Sequence, residues 1–276
     1  MFKADLHCHS TSSDGSLTPE ELIIKAQKMG LQGLSITDHD TVGAYETAIP
    51  AAKANNIRLG SGIELSCDFQ RLHIHILGYD FDVNSPKIHQ VCELHRQRRL
   101  HRNREILIKL EKRGMKIAEE DLVQKTKGKT AGRPHIAALL VEGGYVKSIR
   151  QAFDQWIGDG KPCYAPGAEF PIEEGIDAIH AAGGKAFLAH PHLAEMVYPK
   201  PIPWEAILSL PFDGIECYYG NFPAKSAKRW LDIAEKKHWL VSGGSDFHGV
   251  AKPDIELGTT VVDEGIFNSI FEHPLA

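Results

Sequence analysis

The chain has 276 residues, 42% of them hydrophobic and 24% charged, with 25 glycines and 15 prolines; this ordinary globular composition excludes a disordered, collagen-like or coiled-coil chain. A formal charge of −5 argues against a protein that coats nucleic acid. No apolar run approaches the ~18 residues that span a bilayer, and the opening MFKADLHCHS has no apolar signal region, so a cytoplasmic address is expected.

Short apolar runs predict strands at residues 3–9, 34–39, 59–66, 72–79, 185–190, 214–219 and 240–246. Helical patterns fall at 19–29, 42–55, 172–182 and 224–237, the first announced by Thr18 as N-cap and Pro19 as first helical residue. Strands alternating with helices imply an α/β fold of parallel strands with helices outside, and seven such strands suffice for a barrel. The rhythm breaks between about 86 and 166, where the pattern is helical (87–113, 119–125, 134–142, 149–157) and no strand is convincing. The expected organisation is therefore a first barrel part at 1–85, a helical insertion or cap at 86–166, and a second barrel part at 167–276. Five cysteines (Cys8, Cys67, Cys92, Cys163, Cys217), with no CxxC pair, read as reduced thiols rather than as a disulfide or zinc framework.

Fifteen histidines are the unusual count, and many of them fall at predicted strand ends. In a parallel α/β barrel, side chains from several strands converge there on one mouth. The first strand ends Asp5-Leu6-His7-Cys8-His9-Ser10, and the two-residue period of a strand points His7 and His9 the same way and Cys8 into the packing on the other face. Asp14 follows in the next loop. Further strands end Thr37-Asp38-His39-Asp40, Gly62-Ile63-Glu64, Ala189-His190-Pro191 and Ser245-Asp246-Phe247-His248, and another carries His73-Ile74-His75. A single HxH pair is more often a packed or surface pair than a metal site. Independent capping or core histidines, however, have no reason to gather at so many strand ends. Carboxylates at Asp14, Glu64 and Asp246 supply the negative charge that neighbouring divalent cations require.

These segments (DLHCHSTSSDG, ITDHD, GIELS with HIHILGY, AHP and GSDFHG) resemble, in order, the motifs of the polymerase and histidinol phosphatase (PHP) superfamily, over almost the whole chain. The resemblance implies a distorted seven-stranded (β/α) barrel holding three metal ions, with His7, His9, Asp14, His39, Glu64, His75, His190, Asp246 and His248 as ligands. It implies His7, His9, Glu64 and Asp246 on one ion, Glu64, His75 and His190 on a second, and Asp14, His39 and His248 on a third. Glu64 is then the bridge, and Glu64 and Asp246 form the environment that activates hydroxide. His75 is preferred to His73 because it fits the HILGY pattern. Ligation by nitrogen and oxygen without thiolate suits manganese first, with iron or zinc as alternatives. Asp5, Asp38 and Asp40 are candidates to orient the imidazoles.

Clustered divalent cations lower the pKa of bound water from ~15.7 toward ~7 and hold phosphoryl oxygens, which is phosphoester hydrolysis chemistry. Neither a P-loop nor a GxSxG elbow offers another route. Residues 95–104 hold five arginines; a solvated basic face is the plain explanation, but in a cap over the mouth arginine forks recognise a second phosphate. Gly132-Arg133-Pro134-His135 opens a predicted helix, where a cation opposes the macrodipole unless an anion is shared. The subgroup that this cap resembles hydrolyses nucleoside 3′,5′-bisphosphates and trims 5′-phosphorylated short RNA or DNA, which assigns Arg99, Arg102 and Arg133 to the non-scissile phosphate; His135, beside Arg133 at the predicted helix start, is a further phosphate-site candidate. The expected activity is removal of the 3′-phosphate of a nucleoside 3′,5′-bisphosphate, with 5′-to-3′ exonuclease action on short oligonucleotides. The alternatives are a histidinol-phosphate phosphatase, which needs fewer cap arginines, and a non-catalytic metal-binding module, which should have lost ligands.

Overall fold

The computed structural model describes residues 2–126, 131–198 and 201–276. Strand β1 (Ala4–Cys8) is followed by α1 (Pro19–Lys28), β2 (Gly33–Ile36), α2 (Tyr45–Asn55) and β3 (Arg58–Gly60), and the three strands pair in parallel in the order β1-β2-β3. Helix α1 starts where its sequence predicts. The Thr18 hydroxyl accepts the Glu21 N–H at 3.2 Å while the Glu21 carboxylate accepts the Thr18 N–H at 2.8 Å, a reciprocal cap that satisfies two end donors.

A second sheet has the order β4-β5-β6-β7-β8, made of β4 (Gly62–Phe69), β5 (Leu72–Tyr79), β6 (Lys185–Leu188), β7 (Gly214–Tyr219) and β8 (Leu240–Gly244). Two expectations are corrected here. The single strand expected at 59–66 is broken at Ser61, whose hydroxyl accepts the Phe81 N–H at 2.9 Å. The second sheet is also mixed, because β5 runs antiparallel to both β4 and β6. The β4–β5 reversal is a two-residue turn with Gln70 and Arg71 at φ +49° and +68°. Such double left-handed turns are normally signalled by Asn-Gly or Asp-Gly, so Gln-Arg gave no warning. Eight strands in two sheets therefore stand where a closed seven-stranded ring was expected.

The two sheets meet at two seams. At one, the Asp40 N–H donates to the Glu64 carbonyl at 2.9 Å and the Glu64 N–H to the Asp38 carbonyl at 3.3 Å. At the other, the Asp246 N–H donates to the His7 carbonyl at 2.7 Å and the His9 N–H to the Phe247 carbonyl at 2.9 Å. Gly244 makes this second approach feasible, since a Cβ there would lie 2.3 Å from the His7 nitrogen. Both seams run through residues singled out as ligands.

The segment after β5 is helical: α3 (Pro86–Glu111), α4 (Glu119–Lys125), α5 (Arg133–Glu142) and α6 (Ile149–Ala152), the last continuing into a π-helical turn at Phe153–Ile157. The remaining helices are α7 (Ile172–Ala181), α8 (Pro191–Val197), α9 (Trp204–Leu208), α10 (Ala224–Lys237) and α11 (Glu264–Ile270). At 26 residues, α3 is roughly 39 Å long. Near its start, Ile88 and Val91 belong to the main core, with Ile63, Phe170 and Ile176. Near its end, Ile106 and Leu110 join Ile136, Leu140 and Ile157 in a separate cluster. The arginines lie between these two anchors. Among the described residues no helix is long and apolar enough to cross a membrane.

If residues 86–166 form a unit with its own core, Leu110→Ala should cost about 2–5 kcal/mol of local stability. Amide exchange should then speed up in α5 while β1 and β8 stay protected. Equal loss of protection in both places would show one undivided core.

Candidate active site

The nine predicted ligands come together. Glu64, 1% exposed, sits among five imidazoles. Its Oε1 is 2.7 Å from both His75 Nδ1 and His190 Nε2, and its Oε2 is 3.3 Å from His7 Nε2 and 3.2 Å from both His9 Nε2 and His39 Nδ1. Asp246 turns Oδ1 toward His7 Nε2 (3.5 Å), His9 Nε2 (3.2 Å) and His248 Nδ1 (3.4 Å). Asp14 Oδ1 lies 3.4 Å from His248 Nε2 and 3.8 Å from His9 Nδ1.

Ligand atoms near enough to share one ion form three groups: His7, His9, Glu64 and Asp246; His9, Asp14, His39 and His248; and His39, Glu64 and His75. The first is the set that the sequence grouped. The second adds His9 to the expected trio, and the third places His39 beside Glu64 and His75, with His190 meeting the same Glu64 oxygen as His75. His73 is drawn away from the cluster by Asp68, 2.5 Å from its Nδ1, and by the Tyr164 hydroxyl, 3.2 Å from its Nε2.

The chemistry of the donors fits divalent cations. Both ring nitrogens of His9 and Nδ1 of His39 are buried yet complete no hydrogen bond, an expensive state unless another partner is shared. Burial opposes charge on His9, but the Asp246 and Glu64 carboxylates, each 3.2 Å from its Nε2, outweigh it and raise the ring to about 9. Burial dominates at His39, which drops to about 3 despite the Glu64 and Asp14 carboxylates. Burial likewise opposes charge on the carboxylates, but the neighbouring imidazoles and Lys252 hold Glu64, Asp14 and Asp246 well below the usual range: chiefly His39 and His75 at Glu64, His248 and His39 at Asp14, and Lys252 and His248 at Asp246.

The expected supporting aspartates have other tasks, which corrects that expectation. Asp5 accepts the backbone N–H groups of His7, Ser245 and Gly258 at 3.2, 2.9 and 2.8 Å. Asp38 accepts the Ser10 N–H at 2.8 Å and the Ser10 and Ser13 hydroxyls at 2.5 and 2.6 Å, tying down the loop after β1. Asp40 accepts the Ser66 N–H at 2.7 Å and binds Arg99. The carboxylate that does meet an imidazole is Glu216, 2.8 Å from His7 Nδ1; an acidic residue inside the apolar strand Gly214–Tyr219 was the signal available. Tyr219 and Lys252 were also missed. Both donate to Asp246 Oδ2 at 2.5 Å, leaving Oδ1 to the histidines. Cys8 packs in the core as expected, its thiol toward the Ser35 carbonyl.

Above this cluster is a cavity of about 250 Å³ whose lining includes Asp14, His39 and His75 on one side and Arg99, Arg102, Arg133 and Tyr164 on the other. Arg99 donates through two guanidinium nitrogens to Asp40 Oδ2 and also reaches the Ser66 hydroxyl at 3.1 Å, so it ties α3 to the seam between the two sheets. Arg133 donates to Asp159 at 2.6 Å and lies over the Phe153 and Tyr164 rings. Among the described residues no carboxylate pairs with Arg102, and its Nε is buried without a partner. Burial, with the like charges of Arg99 and Arg133, pushes its guanidinium down to about 9, the mark of a site that is short of an anion. His135 is absent from the lining; its Nδ1 accepts the Gly132 N–H at 3.0 Å and caps α5.

Comparisons with known proteins agree with this site. The PHP domain family matches residues 5–158. A 5′-3′ exoribonuclease of Haemophilus influenzae is 36% identical, over 89% of this chain and 90% of that protein. A 3′,5′-nucleoside bisphosphate phosphatase of Chromobacterium violaceum is 31% identical over 94% and 92%. A solved structure from Bifidobacterium adolescentis, provisionally named a metal-dependent phosphoesterase, superposes with a TM-score of 0.88 at 30% identity over 97% and 94% of the two chains.

Because His9 belongs to two of the three groups and His75 to one, manganese uptake after exhaustive dialysis should fall further in His9→Ala than in His75→Ala. Elemental analysis reads this directly. Equal loss would mean that the groups do not share His9.

Proposed function

The chain belongs to the PHP domain family and is a metal-dependent phosphoric ester hydrolase, and on that premise we propose that it removes the 3′-phosphate of nucleoside 3′,5′-bisphosphates and shortens 5′-phosphorylated oligonucleotides from the 5′ end. The residues fit three divalent cations, manganese first and iron or zinc as alternatives, held by His7, His9, Asp14, His39, Glu64, His75, His190, Asp246 and His248. Bound there, such cations supply Lewis acidity toward the phosphoryl oxygens and a nucleophile derived from water at neutral pH.

The chain's own groups supply the geometry. Glu64 joins the ligand groups, and Tyr219 and Lys252 fix which Asp246 oxygen faces the histidines. Arg102 of α3 and Arg133 of α5 hold the phosphate that is not cleaved, and Arg99, which lines the same cavity, also ties α3 to Asp40. His135 gives Nδ1 to the Gly132 N–H and keeps Nε2 for the same phosphate.

The observation that carries the reading is Arg102, a half-buried cation whose Nε is buried without a partner and which pairs with no carboxylate among the described residues, in the cavity that also exposes His39 and His75. A substrate with one phosphate at the histidine end leaves Arg102 unpaired; one with a second phosphate satisfies both ends. This favours the bisphosphate over histidinol phosphate. The Chromobacterium relative is named for nucleoside 3′,5′-bisphosphates and the Haemophilus relative for 5′-to-3′ degradation of RNA. The complete ligand set argues against a non-catalytic module.

Steady-state kinetics on adenosine 3′,5′-bisphosphate and on a simple aryl monophosphate test this. Arg102→Ala should lose about 1.5–3 kcal/mol on the bisphosphate, roughly 10- to 150-fold in kcat/KM and mainly through KM, with little change on the monophosphate. Asp246→Asn should abolish turnover of both. An equal penalty on the two substrates in Arg102→Ala, or faster turnover of histidinol phosphate by the unmodified enzyme, overturns the assignment.

A further inference from the structure

Glu216 is fully buried in β7, and among the described residues no lysine or arginine pairs with it. Its Oε1 lies 2.8 Å from His7 Nδ1, and its Oε2 accepts the backbone N–H of His190 at 2.8 Å. A carboxylate taken out of water costs several kcal/mol unless its lone pairs are used, and the fold has no visible need of one here. What the two contacts share is their destination: His7 Nε2 and His190 Nε2 both point at Glu64, at 3.3 and 2.7 Å.

Each contact constrains something that the local chain leaves open. A neutral imidazole carries its proton on either nitrogen, and an ionised carboxylate can only accept. As an acceptor at 2.8 Å, Glu216 favours a proton on Nδ1 of His7, so Nε2, which faces Glu64 and Asp246, is the nitrogen left to serve a cation. His190 has φ +25°, a conformation rare for a residue with a side chain and further disfavoured before Pro191. The hydrogen bond from its N–H to Glu216 is part of what holds that backbone in place.

We propose that Glu216 is a positioning residue that sets two imidazoles with one side chain, the tautomer of His7 and the backbone of His190. Its effect on cation binding rests on the proposed metal centre; its effect on the two histidines does not.

The isosteric Glu216→Gln is the sharp test. An amide has one accepting head and one donating head, so glutamine leaves either His7 Nδ1–H or the His190 N–H without its acceptor. Long-range proton–nitrogen spectra of labelled protein, with the His7 signals assigned by their loss in His7→Asn, read the first, and amide exchange at His190 reads the second. We expect one of these to change in metal-free protein, and affinity for Zn(II), a diamagnetic probe measured by chelator competition, to fall about 10- to 100-fold. Glu216→Asp keeps the charge and both acceptors. It should retain the Nδ1 proton and bind Zn(II) more tightly than the glutamine variant, and it remains readable if that variant fails to fold. Wild-type histidine signals and wild-type Zn(II) affinity in Glu216→Gln, or loss of the Nδ1 proton in Glu216→Asp, would overturn the proposal. A change at His7 or His190 in a protein that never binds Zn(II) would instead uphold the positioning role and sink the metal centre.

Discussion

One carboxylate within 3.3 Å of five imidazoles is the contact on which everything else depends. Glu64 is buried, so little of this crowding is screened by water, and in such surroundings an unpaired charge or lone pair is costly. Protons alone do not resolve the arrangement evenly. With His9 raised to about 9 and His39 lowered to about 3, neighbouring rings 4.6 Å apart are driven to opposite protonation states. His9 still completes no hydrogen bond with either ring nitrogen. A cluster this dense in lone pairs is arranged for cations, and the donor set, all nitrogen and oxygen, narrows which cations suit it.

Backbone strain follows the same centre. Asp40, His190 and Asp246 adopt φ of +58°, +25° and +57°, each a conformation that costs on the order of 1–3 kcal/mol for a residue with a side chain. Each has its own N–H fastened to the site: Asp40 to the Glu64 carbonyl at 2.9 Å, Asp246 to the His7 carbonyl at 2.7 Å, His190 to the Glu216 carboxylate at 2.8 Å. Two of these bonds are also the seams between the sheets. The incomplete ring and the strained residues thus have one cause, since strands that delivered these side chains by regular pairing would have no freedom to turn them inward.

The ligand set was legible because motifs such as DLHCH and GSDFHG keep their ligands a few residues apart, where strand period and family resemblance both act. Helix positions were legible from caps and periodicity, as at Thr18-Pro19. What escaped depends on contacts between residues distant in sequence. Gln70-Arg71 makes a left-handed turn without a turn-forming residue, so the antiparallel β4–β5 pair was read as two parallel strands. Arg99, expected only as a phosphate ligand, also pairs with Asp40 on a different strand loop, a tie that the sequence did not announce. Asp5 and Asp38, adjacent to ligands in the chain, support backbone instead, whereas Glu216, 209 residues from His7, meets the imidazole. Proximity in sequence misassigned that role.

The placement of α3 explains how an arginine without a counter-ion among the described residues is kept at the cavity wall. Leaving the Arg102 Nε buried and unpaired works against the folded state. The helix is anchored at one end by Ile88 and Val91 in the main core and at the other by Ile106 and Leu110 in the insertion core, with the Arg99–Asp40 tie between them. Held at both ends and in the middle, it cannot swing out to hydrate Arg102 without giving up one of these anchors. The unpaired cation therefore persists at the cavity wall as stored affinity for an anion. Changes in the insertion core should accordingly alter substrate choice before they disturb the histidines at the cavity floor.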